Sequence, residues 1–273
     1  MPGYGPNSPY GFTKVYDRKV CISIDVINHD PEAEFKVLMQ SEPPNLWIRF
    51  CGMVLDNWDK FDLILTYDDR LLHLPNAREF CGVSSWISND IKIEKQNQIS
   101  YLMSSKINGW PYHMRYMILR KLEGLKKWKD FDFKMHRSPP MTPSKDPFFA
   151  NAKFNIACEN QNMTNMFSEK LLDCFKTYTV PIYFGCTNIE KYFNPKGILS
   201  FQSFEEFERI MDSLTPEMYD EMLPYVQENY ELAKPYWEKN VYQRIEDEIE
   251  KSMNLALEQQ VQQSNLFDQI LFD

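Results

Sequence analysis

The chain has 273 residues, enough for one large domain or two of ordinary size. Its 43% hydrophobic and 15% aromatic content supplies real cores and excludes a disordered chain. A formal net charge of −9 argues against general nucleic-acid binding, which needs a basic face, but leaves room for a local basic pocket around an anionic ligand.

The opening MPGYGPNSPYGF is polar and rich in Gly and Pro, so residues 1 to about 18 read as a loose arm without a secretion signal. Arg18 to Val26 and Glu34 to Gln40 carry short apolar runs on either side of the turn-like Asn28-His29-Asp30-Pro31, the pattern of two strands. The second ends in Ser41-Glu42-Pro43-Pro44. Trp47 to Val54 fits a short helix or strand, and Phe61 to Tyr67 a strand closed by the turn Asp68-Asp69. Ile99 to Ser104 is the next strand. Trp110-Pro111 then opens a helix with an apolar stripe of Met114, Ile118, Leu122 and Leu125. Asp130-Phe131-Asp132 has the Asp-x-Asp form of metal-dependent transferases, yet it lies in a Lys-rich polar stretch and follows no clear strand, which speaks against a metal site. Residues 138–147 hold four prolines and no periodicity, a loop.

The densest information lies between Lys153 and Phe201. Phe154 to Cys158 is an apolar run that breaks to Glu159-Asn160, as a buried strand does at a polar edge. Phe167, Leu171, Cys174 and Phe175 share one helical stripe, and Val180-Pro181-Ile182-Tyr183-Phe184 is a second strand closed by Gly185. Strand, helix, strand predicts a βαβ unit and a parallel sheet. In such units ligands bind outside the carboxyl ends of the strands, where Glu159, Asn160, Glu169 and Lys170 fall. Helical spacing with dense acidic charge then runs over 204–214, 216–233 and 236 to about 261, followed by a Gln-rich amphipathic tail that docks on the body or on a second copy.

This run resembles the donor-binding signature of the α-1,3/4-fucosyltransferases, glycosyltransferase family ten. That signature reads as a strand, Phe-Glu-Asn, a spacer, Tyr-x-Thr-Glu-Lys, a helix, Val-Pro-Val/Ile and a Gly. Its counterparts here are Cys158-Glu159-Asn160, Met166-Phe167-Ser168-Glu169-Lys170, Val180-Pro181-Ile182 and Gly185, with Asn194-Pro195-Lys196 following. Met166 and Cys158 stand where the signature has aromatic residues. Met39 to Pro44, Phe61 to Tyr67 with Pro75, and Pro111 to Arg115 follow the family's earlier elements in order, with Ser41 and Glu42 inverted relative to Glu-Ser-Pro.

The resemblance implies an α/β fold of the GT-B type, two Rossmann-like domains facing across a cleft, with a helical C-terminal segment. It places a short acceptor domain at 1–95, a GDP-sugar domain at 96–235 and a C-terminal helix and tail at 236–273. The implied reaction is inverting transfer of fucose from GDP-fucose to a glycan hydroxyl, O3 or O4 of a GlcNAc- or Glc-type residue. Arg115 and Lys170 would hold the departing diphosphate, because a planar guanidinium and a point-like ammonium suit phosphate oxygens. Glu159, Asn160, Ser168 and Glu169 would complete the donor site, and Glu42 would act as general base, with Asp68 or Asp69 as substitutes. No cofactor is then required, and a divalent metal is at most stimulatory. The short first domain leaves open a homo-oligomer in which a second copy helps to bind the acceptor. Alternatives are the same scaffold with another nucleotide sugar, or a non-catalytic binder of nucleotide sugars or glycans. No apolar run reaches the length of a membrane span. The six scattered cysteines, with no C-x-x-C pair, point to reduced thiols in a cytoplasmic protein.

Overall fold

The computed structural model describes residues 10–15, 17–42, 49–104, 112–138 and 144–272. The chain divides into two units, one made of residues 1–82 with 239–273 and the other of 83–238. The boundary expected near residue 95 therefore falls at 82/83. The C-terminal segment expected to stand by itself belongs to the first unit.

The first unit holds strands β1 (Tyr10–Val15), β2 (Arg18–Ile24), β3 (Phe35–Met39), β4 (Leu63–Thr66) and β5 (Ala77–Glu79), in that order across one sheet. The supposed arm thus contains a strand, paired antiparallel with β2, while β2 to β5 run parallel. Alternation sorts the side chains onto two faces. Leu38 and Ile64 pack with Phe50, Cys51 and Val54 of helix α1 (Phe50–Leu55). Val37, Met39, Leu63 and Leu65 point the other way and pack with Ile245, Ile249 and Met253 of the C-terminal helix Val241–Phe272. A parallel sheet needs both faces covered. With α1 on one face, the apolar stripe of the C-terminal helix closes the other, which is why residues distant in sequence join this unit.

The second unit is built on β6 (Gln96–Ser104), helix α2 (His113–Leu122), β7 (Lys127–Trp128), β8 (Phe131–Ser138), α3 (Asp146–Phe149), β9 (Ala152–Met163), α4 (Glu169–Lys176), β10 (Val180–Cys186) and β11 (Leu199–Ser200). Helices α5 (Phe204–Ser213), α6 (Pro216–Ala233) and α7 (Pro235–Glu238) follow, and the C-terminal helix is α8. The sheet order is β11-β10-β9-β6-β8-β7, parallel except for the β7–β8 pair. The parallel βαβ unit expected at 153–184 is present. β8 was not expected, because only Phe131 and Phe133 of its eight residues are buried apolar side chains and the remainder reads as polar loop. Asp132 sits on β8 at the antiparallel hairpin, at the opposite end of the strand from Ser138.

Taken in chain order, the parallel strands lie 2-1-3-4-5, with β6 first. The chain runs outward one way to β8 and the other way to β9 and beyond. The order reverses between β6 and β9, and beyond the carboxyl ends of these strands lies the crevice where doubly wound sheets bind ligands.

Candidate functional site

A cavity of about 650 Å³ opens at that reversal, lined by the ends of β6, β8 and β9 and by the start of α4. Arg115, Asn160, Glu169 and Lys170 all line it. The spacing that brings each there is local. On α2 the buried stripe is Arg115, Ile118, Leu119 and Leu122, not the stripe beginning at Met114. Arg115 thus sits on the inward face and is 4% exposed. Its Nε and Nη2 donate to the Cys158 carbonyl at 3.1 and 2.8 Å. A guanidinium has five N–H groups, so those not given to Cys158 remain for a ligand. Met166 and Cys158, which replace the signature's aromatics, are both buried, and Cys158 serves Arg115 through its backbone.

Strand β9 runs on through Glu159 and Asn160 to Met163, so these two lie within the strand and not after it. Glu159 is buried behind the cavity wall. Its Oε1 accepts from the Ser168 backbone N–H at 2.8 Å, and its Oε2 from the Ser168 hydroxyl at 2.6 Å and from Lys170 Nζ at 3.2 Å. Ser168 is the N-cap of α4, taking the Lys170 N–H on its hydroxyl. The ring of Phe167, just ahead of the cap, packs edge-on against Tyr192, Phe193 and Tyr236 with centroids 5.2–5.3 Å apart. The entry into α4 is therefore fixed from two sides.

Lys170 Nζ also reaches Ser168 Oγ at 2.9 Å and Glu169 Oε1 at 3.3 Å. Burial lowers the Lys170 ammonium, but Glu159 and Glu169 outweigh that and raise it above the ordinary lysine value, against a smaller opposing effect of Arg115. Burial pushes the Glu169 carboxyl up. The charges of Lys170 and Lys145, with hydrogen bonds from Ser168 and Lys170, overcome this and bring it to about 2.

Residues that the sequence did not single out complete the wall. Lys145 lines the cavity and pairs with Glu169 at 3.4 Å and with Asp173 at 2.9 Å. Trp86 and His136 line it too. Lys145 sits in the Pro-rich stretch where no periodicity marks it. Asp173 was hidden between Leu172 and Cys174, although a carboxylate among buried neighbours on a short helix is a signal. Around the cavity, three cations (Arg115, Lys145, Lys170) thus meet three carboxylates (Glu159, Glu169, Asp173). An incoming polyanion would meet these cations already oriented, with much of their desolvation already incurred.

Glu42 lies in the first unit, exposed at the end of β3. Its backbone N–H and that of Ser41 donate to the Asp25 carboxylate at 2.8–3.2 Å. Asp25 adopts φ 55°, a left-handed conformation that aspartate tolerates better than most residues. Burial raises the Asp25 carboxyl above its usual range; the two N–H bonds oppose this and the Glu42 charge adds to it. The proline segment 43–44 that was expected to stiffen Glu42 lies outside the described residues. Asp68, one substitute for Glu42, is buried and gripped by Arg70 through Nε at 2.9 Å and Nη2 at 2.6 Å. Among the described residues no group of three or more His, Cys, Asp or Glu is arranged to hold a metal ion, and no helix is long and apolar enough to cross a membrane.

Three cations and the capped start of α4 thus meet at the switch point of a doubly wound sheet, the place where sheets of this class bind ligands. The chain belongs to glycosyltransferase family 10: the family's sequence pattern, described as glycosyltransferase family 10 (fucosyltransferase) C-term, matches residues 93–259. Alpha-(1,3)-fucosyltransferase FucT of Helicobacter pylori is 33% identical over 69 residues, which is 25% of this chain but only 14% of that protein. A solved alpha1,3-fucosyltransferase with GDP-fucose superposes with a TM-score of 0.48 at 18% identity, covering 76% of this chain and 69% of the other. One with GDP gives 0.49 at 17% identity, covering 83% and 72%.

Proposed function

We propose that the chain transfers fucose from GDP-fucose, with inversion, to a hydroxyl of a glycan acceptor, O3 or O4 of a GlcNAc- or Glc-type residue. The observation that carries this reading is the meeting of Arg115 and Lys170 on one cavity within the segment matched by the fucosyltransferase family. The fucosyltransferase name of the H. pylori relative supports it.

In this mechanism the acceptor oxygen bonds to C1 of the sugar as the C1–oxygen bond to the diphosphate breaks, and the electron pair leaves with the diphosphate. Arg115 supplies its uncommitted N–H groups to that diphosphate. All three Lys170 contacts are to oxygens of the chain itself, so Lys170 reaches a phosphate oxygen by exchanging one of them, with Glu169 the most exposed of the three partners. Glu169 and Asn160 accept from and donate to donor hydroxyls. Glu42 takes the acceptor hydroxyl proton. Two cations at the leaving group make a divalent metal dispensable for turnover, so EDTA should leave the rate within severalfold. Loss of activity on chelation with rescue by manganese contradicts this part. A cytoplasmic setting is supported by the six buried cysteines, all present as thiols.

Calorimetric titration with GDP, GDP-fucose and UDP-sugars tests the reading. GDP and GDP-fucose are expected to bind and UDP-sugars to bind far more weakly; equal affinity for GDP and UDP overturns the donor assignment.

A further inference from the structure

One cation on the cavity wall has no part in the reading above. Lys145 comes from the segment just ahead of α3 and is mostly buried, with 18% of its side chain exposed. Its ammonium stands 2.9 Å from Asp173 Oδ2, 3.4 Å from Glu169 Oε1 and 4.4 Å from the centre of the Trp86 indole, which it caps on one face. Asp173 is fully buried, and its other oxygen takes the Ser85 hydroxyl at 2.8 Å and the Trp86 backbone N–H at 2.7 Å. Segment 85–86, Lys145 and the first two turns of α4 are thereby tied into one knot. Glu169 is the member of it whose carboxylate reaches the cavity.

We propose that Lys145 is a positioning residue for Glu169: its ammonium, anchored by the buried Asp173, fixes the Glu169 carboxylate on the cavity wall. The geometry favours this over direct ligand binding. Lys145 stands 2.9 Å from its buried carboxylate partner and against an indole face, a tighter hold than the 3.2 Å between Lys170 and Glu159. Releasing it would strand Asp173, and a buried carboxylate without its partner is costly. Burial already raises the Asp173 carboxyl, with Lys145 and the Ser85 and Trp86 hydrogen bonds pulling against it. The groups facing Glu169 are Lys170 and Ser168 from its own helix end and Lys145 from the segment before α3. Of the nearby carboxylates, Asp173 shares Lys145 with it and Glu159 on β9 shares Lys170. Lys170 and Lys145 are thus each divided between two carboxylates, and Glu169 depends on a share of both. The proposal rests on Glu169 belonging to the donor site.

The test combines a ligand-free readout with a binding cycle. In the first, the carboxyl carbon of Glu169 is followed by NMR against pH, with Glu169→Gln identifying its signal. Lys145→Met is expected to move the Glu169 titration upward by roughly one pH unit or more, as loss of an opposite charge at this distance does. Lys145→Arg is expected to keep it low. In the second, GDP-fucose affinity is measured for Lys145→Met, Glu169→Gln and the double variant. The lysine change is expected to cost about tenfold alone and nothing further once Glu169 is neutral. Should Lys145→Met not fold, Lys145→Met/Asp173→Asn removes both charges of the buried pair and serves in its place. An unmoved titration overturns the proposal. So does an equal loss in the Glu169→Gln background, which would mean that Lys145 acts on the ligand or on the fold. If the unaltered chain binds no GDP-fucose, the function proposed above fails, while the NMR arm still decides whether Lys145 governs Glu169.

Discussion

Gly185 and Glu159 are packed so closely that a Cβ at residue 185 would stand 2.5 Å from the Glu159 Cγ. It would also meet the Tyr183 hydroxyl at 2.5 Å. Glycine here follows from close approach between neighbouring strands and not from backbone freedom, since β10 is an ordinary extended segment with a register shift at this point.

Gly185→Ala is therefore expected to push the Glu159 carboxylate off Ser168 and Lys170 and so to loosen the N-terminus of α4. The overpacking should cost about 1–3 kcal/mol of stability, with a weaker donor site as its consequence. Thermal melting and GDP titration on the same variant check it. A variant with wild-type melting and wild-type affinity would show that the strands can part without disturbing Glu159.

Arg115→Ala and Lys170→Ala should each weaken donor binding by roughly ten- to a hundredfold, the usual worth of one charge-assisted contact. Their stabilities should differ from each other. Arg115→Ala leaves the Cys158 carbonyl, buried beneath it, without its donors, a loss of about 1–3 kcal/mol. Lys170→Ala leaves Glu159 with only the Ser168 donors. Calorimetry for affinity and denaturant melts for stability separate the two effects. Full activity of either variant at limiting GDP-fucose would show that the residue serves the fold and not the donor.

Glu42→Gln keeps size and most hydrogen-bonding capacity while removing the base, so turnover should fall by about 10²–10⁴-fold with donor affinity unchanged. The Asp25 carboxylate holds the backbone at Ser41 and Glu42, not the Glu42 side chain, so the substitution leaves the loop in place. Comparing kcat with GDP-fucose affinity in this one variant decides the matter. If turnover survives, Asp69 is next to test, since Asp68 is held by Arg70.

Lys95 offers a pH-dependent signature of stability. At the amino ends of the sheet its ammonium donates to the carbonyls of Phe149 and Ala152 at 2.7 Å and to the Thr179 hydroxyl at 2.6 Å. Burial lowers it to about 7, against a weak opposing influence of Cys174. Because the folded value lies below the unfolded one, the unfolded chain binds more protons between pH 7 and the ordinary lysine range. Stability should thus rise with pH through that window, at up to about 1.4 kcal/mol per pH unit for one proton, and the burial cost should be fully felt below it. In Lys95→Met this rise should disappear. Parallel stability profiles for the two proteins from pH 6.5 to 9.5 would show that the ammonium is not desolvated as its contacts indicate.

Much of the candidate site was legible in the sequence because its parts are local. Ser168, Glu169 and Lys170 are a helix cap and a first turn, and the strands at 154–158 and 180–184 announce themselves as apolar runs. Arg115 was legible only as a helix-start residue. That it rides the buried stripe with Ile118, Leu119 and Leu122 became clear from packing, because an arginine on an apolar face reads as polar in any local pattern. β8 was missed for a related reason: a strand flanked by neighbours that supply the core needs few apolar residues of its own.

The sequence by itself determined the strands written as apolar runs, the striped helices, the parallel βαβ unit and the residues that cap and charge the start of α4, since these depend on contacts a few residues apart. Tertiary structure alone decided three things. The C-terminal helix α8 joins the first unit because Ile245, Ile249 and Met253 cover a sheet face that would otherwise meet water. The cavity lies where β6 and β9 part, a consequence of strand order that no single segment encodes. Lys145, Asp173 and Trp86 meet because ion pairs and cation–π contacts act between side chains brought together by folding, and their separation along the chain, from 86 to 173, leaves no periodic trace.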